Sequence, residues 1–244
     1  MSLSITVLGC DGSFAAAGGA CSGYLVRAAS TALWLDCGPG TFANLQAELP
    51  LADLDALVVS HQHPDHFGEL PVVYNALAFY VDRPPLPVYT TAGTYQLTTT
   101  INGHDCRGPL DWTLVDETSR ISIGHADVSF SRTDHPVETL AIRVDCDGRS
   151  IVYSSDTGPG WEPGEFLRGV DVFVCDATLL AHQVGAAPHL SAEQAAAMAA
   201  DAGVGTLVLT HRNPGSDPGP YLDEARSRFG GPLELAEIGA TFAA

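Results

Sequence analysis

Lysine is absent from this chain of 244 residues; all eleven basic residues are arginine, against 29 acidic ones, and the formal charge is −18. A surface of that sign repels polyanions, because nucleic-acid binding relies on clustered lysine and arginine to displace counterions from phosphates. It favours a small-molecule substrate and argues against nucleic acid as a partner. No stretch approaches the unbroken apolar length of a membrane span, and the chain runs straight into Ser4-Ile5-Thr6-Val7-Leu8 with no basic segment or signal-like apolar core before it. The expectation is a cytoplasmic protein with no membrane partner. Cys-x-x-Cys pairs are missing too. Cys10, Cys21, Cys37, Cys106, Cys146 and Cys175 are scattered, several of them in apolar runs, which reads as reduced core thiols rather than a disulfide framework. With 45% hydrophobic and 8% aromatic residues the composition is that of a globular protein, expected as one domain over residues 1–244.

Against these absences stands one concentrated stretch, Ser60 to Leu70, in which His61, His63, Asp65 and His66 fall within six residues. Imidazole nitrogen and carboxylate oxygen are the ligands of zinc and similar borderline metals, and they are held best where a buried strand ends and the backbone turns. Leu57-Val58-Val59 is such a strand end. His61 and His63 are placed to share one ion, while Asp65 and His66 point elsewhere, so the spacing predicts two adjacent ions.

Other strand ends carry the same residue types. Val128 to Asp134 runs into His135, Ile151 to Ser155 into Asp156, Val172 to Cys175 into Asp176, and Thr206 to Thr210 into His211. An internal echo accompanies them. Asp36-Cys37-Gly38-Pro39-Gly40 is answered by Asp156-Thr157-Gly158-Pro159-Gly160. Likewise Leu57 to Pro64, with His61, is answered by Leu207 to Pro214, with His211. The Asp-to-His distance is 25 residues in the first half and 55 in the second, which predicts an extra strand and helix there. Two related halves meeting at one edge are expected.

Periodicity and breakers supply the remaining elements. Strands are predicted at Ser4 to Leu8, Gly23 to Arg27, Ala32 to Cys37, Val88 to Thr90, Thr113 to Val115, Arg120 to Ile123, Ala126 to Arg132, Thr139 to Asp145 and Arg149 to Ser154. Helices are predicted at Thr41 to Leu49, Leu70 to Tyr80, Ala92 to Ile101 and Ala192 to Ala202. Gly9 to Ser13 reads as a glycine turn able to approach a ligand, or equally as a plain hairpin turn.

The pattern His61-x-His63-x-Asp65-His66 resembles the signature of the metallo-β-lactamase superfamily. That resemblance implies an α+β fold, an αβ/βα four-layer sandwich with a two-metal site at one edge. Carried over position by position, it implies one Zn(2+) on His61, His63 and His135, a second on Asp65, His66 and His211, and Asp156 bridging both, with Asp36 behind the ligand histidines. Manganese or iron is compatible with the same ligand types. An open position on each ion marks a catalytic site, with a bridging hydroxide as nucleophile.

Between Asp176 and His211 lie Asp176-Ala177-Thr178 and His189-Leu190-Ser191, similar to the acidic-Ala-Thr and His-x-Ser motifs of the ribonuclease Z branch. There a carboxylate orients a histidine beside the metals, which makes Asp176 and His189, with Asp65, the expected catalytic residues; aspartate stands where that branch usually has glutamate. The residue-level alternative is that Ser191 merely caps the following helix, with His189 solvated. Ribonuclease Z inserts a tRNA-gripping arm between its third histidine and bridging aspartate, whereas here His135 and Asp156 are 21 residues apart, enough for one hairpin. The expectation is a phosphodiesterase acting on a small nucleotide-type diester, as in the arm-less cyclic nucleotide phosphodiesterases. Acyl hydrolysis of a lactone, thioester or β-lactam is the alternative; tRNA processing and a non-enzymatic metal-binding role rank below it. Arg212 is positioned to meet a phosphate or to pair with an acid. A homodimer is common among such relatives, with no interface indicated by the residues.

Overall fold

Fourteen strands and six α-helices make up residues 3–244, the residues described by the computed structural model. In chain order the first half runs β1 (Leu3–Gly9), β2 (Gly23–Ala28), β3 (Thr31–Leu35), α1 (Thr41–Glu48), β4 (Ala56–Val59), α2 (Pro64–Phe67), α3 (Leu70–Phe79), β5 (Leu86–Thr90), α4 (Ala92–Asn102) and β6 (Leu110–Leu114). The second half runs β7 (Arg120–Ile123), β8 (Ala126–Arg132), β9 (Leu140–Cys146), β10 (Arg149–Tyr153), β11 (Val172–Asp176), α5 (Ala192–Ala202), β12 (Thr206–Thr210), α6 (Pro218–Arg226), β13 (Leu233–Leu235) and β14 (Thr241–Ala243).

The strands form two seven-stranded sheets, ordered β14-β1-β2-β3-β4-β5-β6 and β13-β12-β11-β10-β9-β8-β7. Their inner faces meet in one apolar cluster, to which Ile5, Leu33, Leu35 and Val58 come from the first sheet and Phe130, Ile142, Ile151 and Val174 from the second. The outer faces are covered by helices. Trp34, Leu57 and Val88 pack under Leu45, Val73 and Leu77 on one side, and Val152, Phe173 and Leu207 pack under Ala195, Ala199 and Tyr221 on the other. This is the expected αβ/βα sandwich in four layers. Strands buried on both faces favour apolar residues on both, which is why residues 32–35 of β3, all of β4 and residues 172–175 of β11 read as unbroken hydrophobic runs. Each fully buried large side chain there contributes roughly 1.5–3 kcal/mol. Among the described residues no helix is long and apolar enough to cross a membrane.

The two sheets repeat one pattern: two antiparallel pairings followed by one more antiparallel and three parallel ones, read from β14 in the first and from β7 in the second. Strand β3 therefore matches β10, β4 matches β11, and β5 matches β12. The sequence echo between His61 and His211 joins strands that are not equivalent, since His61 follows β4 and His211 follows β12. The strand and helix predicted as extra in the second half, β11 and α5, have counterparts in β4 and α3.

The predicted elements otherwise lie within a few residues of the observed bounds, while α2, α6, β13 and β14 are not predicted from the sequence. Strand β6 begins at Leu110, because its parallel register to β5 pairs Leu86 with Leu110 and Thr90 with Leu114. Helix α6 is hidden in sequence by Pro218-Gly219-Pro220. Proline is tolerated in a first helical turn, and Asp217 caps that turn by accepting from Gly219 N.

Candidate metal centre

Strands β3, β4, β8, β10, β11 and β12 point their C-terminal ends at the same edge of the sandwich, and every predicted ligand lies within seven residues of such an end. The chain leaves β4 through Ser60 and His61, turns at His63, and enters the single helical turn α2, whose proline at N1 starts it and which carries Asp65 and His66. Glu69 then accepts hydrogen bonds from Gly40 N and Phe42 N at the start of α1, locking this loop to the Asp36–Gly40 turn.

The ligand atoms converge in two groups that share Asp156. In the first, His61 Nε2 and His135 Nε2 each stand 3.1 Å from His63 Nδ1, and they stand 3.6 and 3.7 Å from Asp156 Oδ2. In the second, His66 Nε2 and His211 Nε2 are 3.4 Å apart. They lie 3.6 and 3.2 Å from Asp65 Oδ2 and 3.0 and 3.3 Å from Asp156 Oδ1. Four donors arranged tetrahedrally at zinc-like bond lengths stand about 3.3–3.4 Å from one another. The separations above, 3.0 to 3.7 Å, bracket that spacing, while Asp65 and Asp156 do not form such a pair with each other. Asp156 Oδ1 is buried with no aligned hydrogen-bond donor, although His66 Nε2 is 3.0 Å away. A buried carboxylate oxygen is left unpaired only at cost, and a cation at the centre of the group satisfies it.

For three of the imidazoles the far side fixes the tautomer. His66 Nδ1 donates to Asp36 Oδ2 at 2.7 Å, His211 Nδ1 donates to Thr178 Oγ1 at 2.8 Å, and His61 Nδ1 donates to Ser60 Oγ at 3.0 Å. With the proton on Nδ1, the Nε2 lone pair faces the cage, which is the form a metal needs. Asp36 also accepts from Ser60 N, Ser60 Oγ and Tyr153 OH. Ser155 Oγ donates to Ser60 Oγ at 2.7 Å, tying the second half to the first directly behind His61. Thr178 belongs to the Asp176-Ala177-Thr178 motif, whereas no local pattern in the sequence marks the role of Tyr153 or Ser155, because it depends on which strands face each other.

Burial presses the His61 pKa down, and His66 beside it presses the same way. Burial works against ionising Asp156, yet the neighbouring His211, His66 and His61 hold its carboxyl well below the usual range. Asp65 is likewise held low against burial, through its contacts with His211 and His66. Ionised carboxylates opposite a neutral His61 are the states in which these groups bind a cation.

Asp176 and His189 do meet. His189 Nδ1 lies 2.8 Å from Asp176 Oδ2, and the aspartate is fully buried and also accepts from Thr157 N, Thr178 N and Thr178 Oγ1. The shorter aspartate suffices because it sits at the very end of β11, beside β10 and β12. The His189 ring stands between the two groups of donors, 5.5 Å from the His135 ring and 5.1 Å from that of His211. Burial lowers the His189 pKa, but the hydrogen bond and charge of Asp176 outweigh it and push it up to about 9. Ser191 also caps α5, in a reciprocal box with Gln194, so the capping role and the His189 contact coexist.

Among the described residues Arg212 does not pair with an acid. Its guanidinium lies over the Tyr221 ring at 5.7 Å and reaches Ser216 Oγ at 3.5 Å, and no ion pair holds it among the described residues. His104 accepts from Cys106 N in its loop, His125 lies in the β7–β8 turn, and His182 lies in a short 3-10 turn at 181–183, all outside the two donor groups.

A family model described as the beta-lactamase superfamily domain matches residues 31–212. An uncharacterized protein of Mycobacterium tuberculosis is 33% identical over 254 residues, covering 99% of this chain and 92% of that protein. The probable metallo-hydrolase YhfI of Bacillus subtilis is 29% identical over 248 residues, covering 97% of this chain and 98% of that one. Its crystal structure superposes with a TM-score of 0.90 over 98% of this chain and 99% of its own. A ribonuclease Z of Mycobacterium bovis is 31% identical over 267 residues, covering 96% and 95% of the two chains.

Proposed function

The chain belongs to the beta-lactamase superfamily, and on that premise we propose that it is a metal-dependent hydrolase, specifically a two-zinc phosphodiesterase acting on a small nucleotide-type diester. One observation carries the choice of phosphodiester: His189, braced by buried Asp176, stands between the two donor groups. His61, His63, His135 and Asp156 would hold one ion, and Asp65, His66, His211 and Asp156 the other. Two such ions supply activated water and positive charge for a phosphoryl group at neutral pH.

The protein's own residues do the rest. Asp176 takes the Nδ1 proton of His189 in a hydrogen bond and so turns Nε2 to the substrate. From there it binds a phosphoryl oxygen and gives a proton to the departing alkoxide, a contribution typically worth about 10² to 10⁴ in rate. Asp36, Ser60 and Thr178 keep the ligand imidazoles in the tautomer that faces the ions. The segment from His135 to Asp156 is filled by the β9–β10 hairpin, leaving no arm for a tRNA, and the charge of −18 opposes a polyanion. The relatedness to YhfI, a probable metallo-hydrolase, supports the hydrolytic reading. Six free cysteines, five of them buried, support a cytoplasmic setting.

The test is turnover of bis(p-nitrophenyl) phosphate by the zinc-loaded protein beside a lactone and a thioester, with His189→Ala as control. Diester turnover that collapses in the variant is expected. Silence on the diester with turnover of an acyl substrate would overturn the reaction class while leaving the metal site standing.

A further inference from the structure

The loop between β1 and β2 touches the metal centre through its backbone. Ser13 N donates to Asp65 Oδ2 at 2.8 Å, from a residue held at φ 64. Phe14 N donates to Gly12 O at 2.8 Å, so Gly12, Ser13 and Phe14 form a γ-turn in its positive-φ form, which is rare and strained. Strain of this kind persists only where the surroundings impose it. Here they do. Gly12 N donates to Arg212 O, and a Cβ on Gly12 would fall 2.7 Å from His211 O and 2.9 Å from His211 Nδ1. Beyond the turn, Ala16 N donates to Asp11 Oδ2 at 2.8 Å and Gly19 N to Ala16 O at 2.8 Å, closing the loop on itself.

The residue this turn presents is Phe14, 63% exposed, with no ring packed on it among the described residues. Of the other exposed apolar side chains, Val72, Phe79, Ile101 and Leu114 sit on α3, α4 and β6, outside the loops that carry the ligands, and Val184 lies in the loop that carries His189. Phe14 instead follows the residue whose amide holds a cage carboxylate. A rigid aromatic on a pinned loop costs little to order when a ligand arrives, and its face is sequence-tolerant toward any planar ring.

We infer that Phe14 is a specificity residue that stacks on the nucleobase of the substrate while the phosphodiester lies at the metal centre. The inference rests on the phosphodiesterase reading and adds to it the requirement for an aromatic base on the substrate.

Two diesters with one leaving group separate the claims: thymidine 5′-(p-nitrophenyl phosphate) and methyl p-nitrophenyl phosphate. In Phe14→Ala the ratio of kcat/KM for the nucleoside ester over the methyl ester should fall about tenfold or more, through KM, and Phe14→Trp should keep it. A ratio within twofold of wild type in Phe14→Ala overturns the inference. Calorimetry on the zinc-loaded protein gives a second readout without turnover. Wild type should bind AMP more tightly than ribose 5-phosphate, and Phe14→Ala should remove most of that difference. If wild type hydrolyses neither diester, the phosphodiesterase reading fails, and the calorimetric comparison decides the stacking alone; AMP bound no tighter than ribose 5-phosphate would end it.

Discussion

The Nδ1 of His189 lies 2.8 Å from Oδ2 of Asp176, a carboxylate that is completely buried and accepts three further hydrogen bonds. An aspartate so fully committed cannot follow its histidine, so the pair is fixed from the β11 end outward. His189→Ala should lower kcat on a diester by about 10² to 10⁴, with two zinc ions still counted by elemental analysis. Asp176→Asn should give an intermediate loss. Equal loss of metal and rate in His189→Ala would make it a ligand instead.

Asp156 is the one side chain common to both donor groups, with Oδ2 toward His61 and His135 and Oδ1 toward His66 and His211. Asp156→Ala should therefore lose metal and activity together. A variant that retained both ions at full activity would remove Asp156 from the centre.

Tyr153 reaches across from the second sheet to donate to Asp36 Oδ2 at 2.9 Å, and its ring rests on Tyr24 at 4.7 Å. Tyr153→Phe keeps the ring and deletes only the donor. Zinc affinity should fall about tenfold, in the range found for groups that orient ligand histidines, with a small change in Tm. Titration against a fluorescent zinc chelator measures it, and an unchanged affinity would show that Asp36 is held without the tyrosine.

Gly38 packs against the loop that carries Asp65. A Cβ there would fall 2.0 Å from the Asp65 carbonyl oxygen, a backbone atom with nowhere to go. Gly38→Ala should therefore destabilise the fold by a few kcal/mol, roughly 1–3 as for overpacked sites, and should weaken the Asp65 side of the centre. Denaturant unfolding and metal counting read the two effects separately.

Burial pushes the Cys10 thiol up to about 11 and the Cys21 thiol up to about 12, with nearby acids, Asp11 and Asp65, acting in the same direction. The thiolate is the reactive form, and raising the pKa empties it at neutral pH. Native protein at pH 8 should react with Ellman's reagent at well under one thiol per chain, and all six should react in guanidinium. Rapid labelling of the native protein would show that a thiol is open to solvent.

The candidate ligand set was legible because its members lie close together in the chain or sit at strand ends. His61, His63, Asp65 and His66 declare themselves within six residues, while Asp156, Asp176 and His211 follow apolar runs, and His135 an alternating one, that read as strands. Asp36 and Asp156 show where that reading stops. Their turns have the same Asp-x-Gly-Pro-Gly sequence, but Asp36 N bonds Val58 O while the matching bond in the other sheet is Ser154 N to Val174 O. Asp36 is thus level with Ser154, and Asp156 lies two residues farther out from its sheet. That displacement keeps Asp36 behind the histidines as a hydrogen-bond acceptor and carries Asp156 forward among them.

By itself the sequence determined which side chains are able to bind metal, that they lie at or near the ends of buried strands, and that the net charge is −18, since residue chemistry, hydrophobic period and charge are local or additive properties. The tertiary structure decided which partner His61, His66 and His211 lean on, that Asp176 is long enough for His189, that Tyr153 and Ser155 cross between the sheets, and that a strained turn sets the Ser13 amide on Asp65. Those depend on register between strands far apart in the chain, and a one- or two-residue shift in pairing changes what each side chain meets.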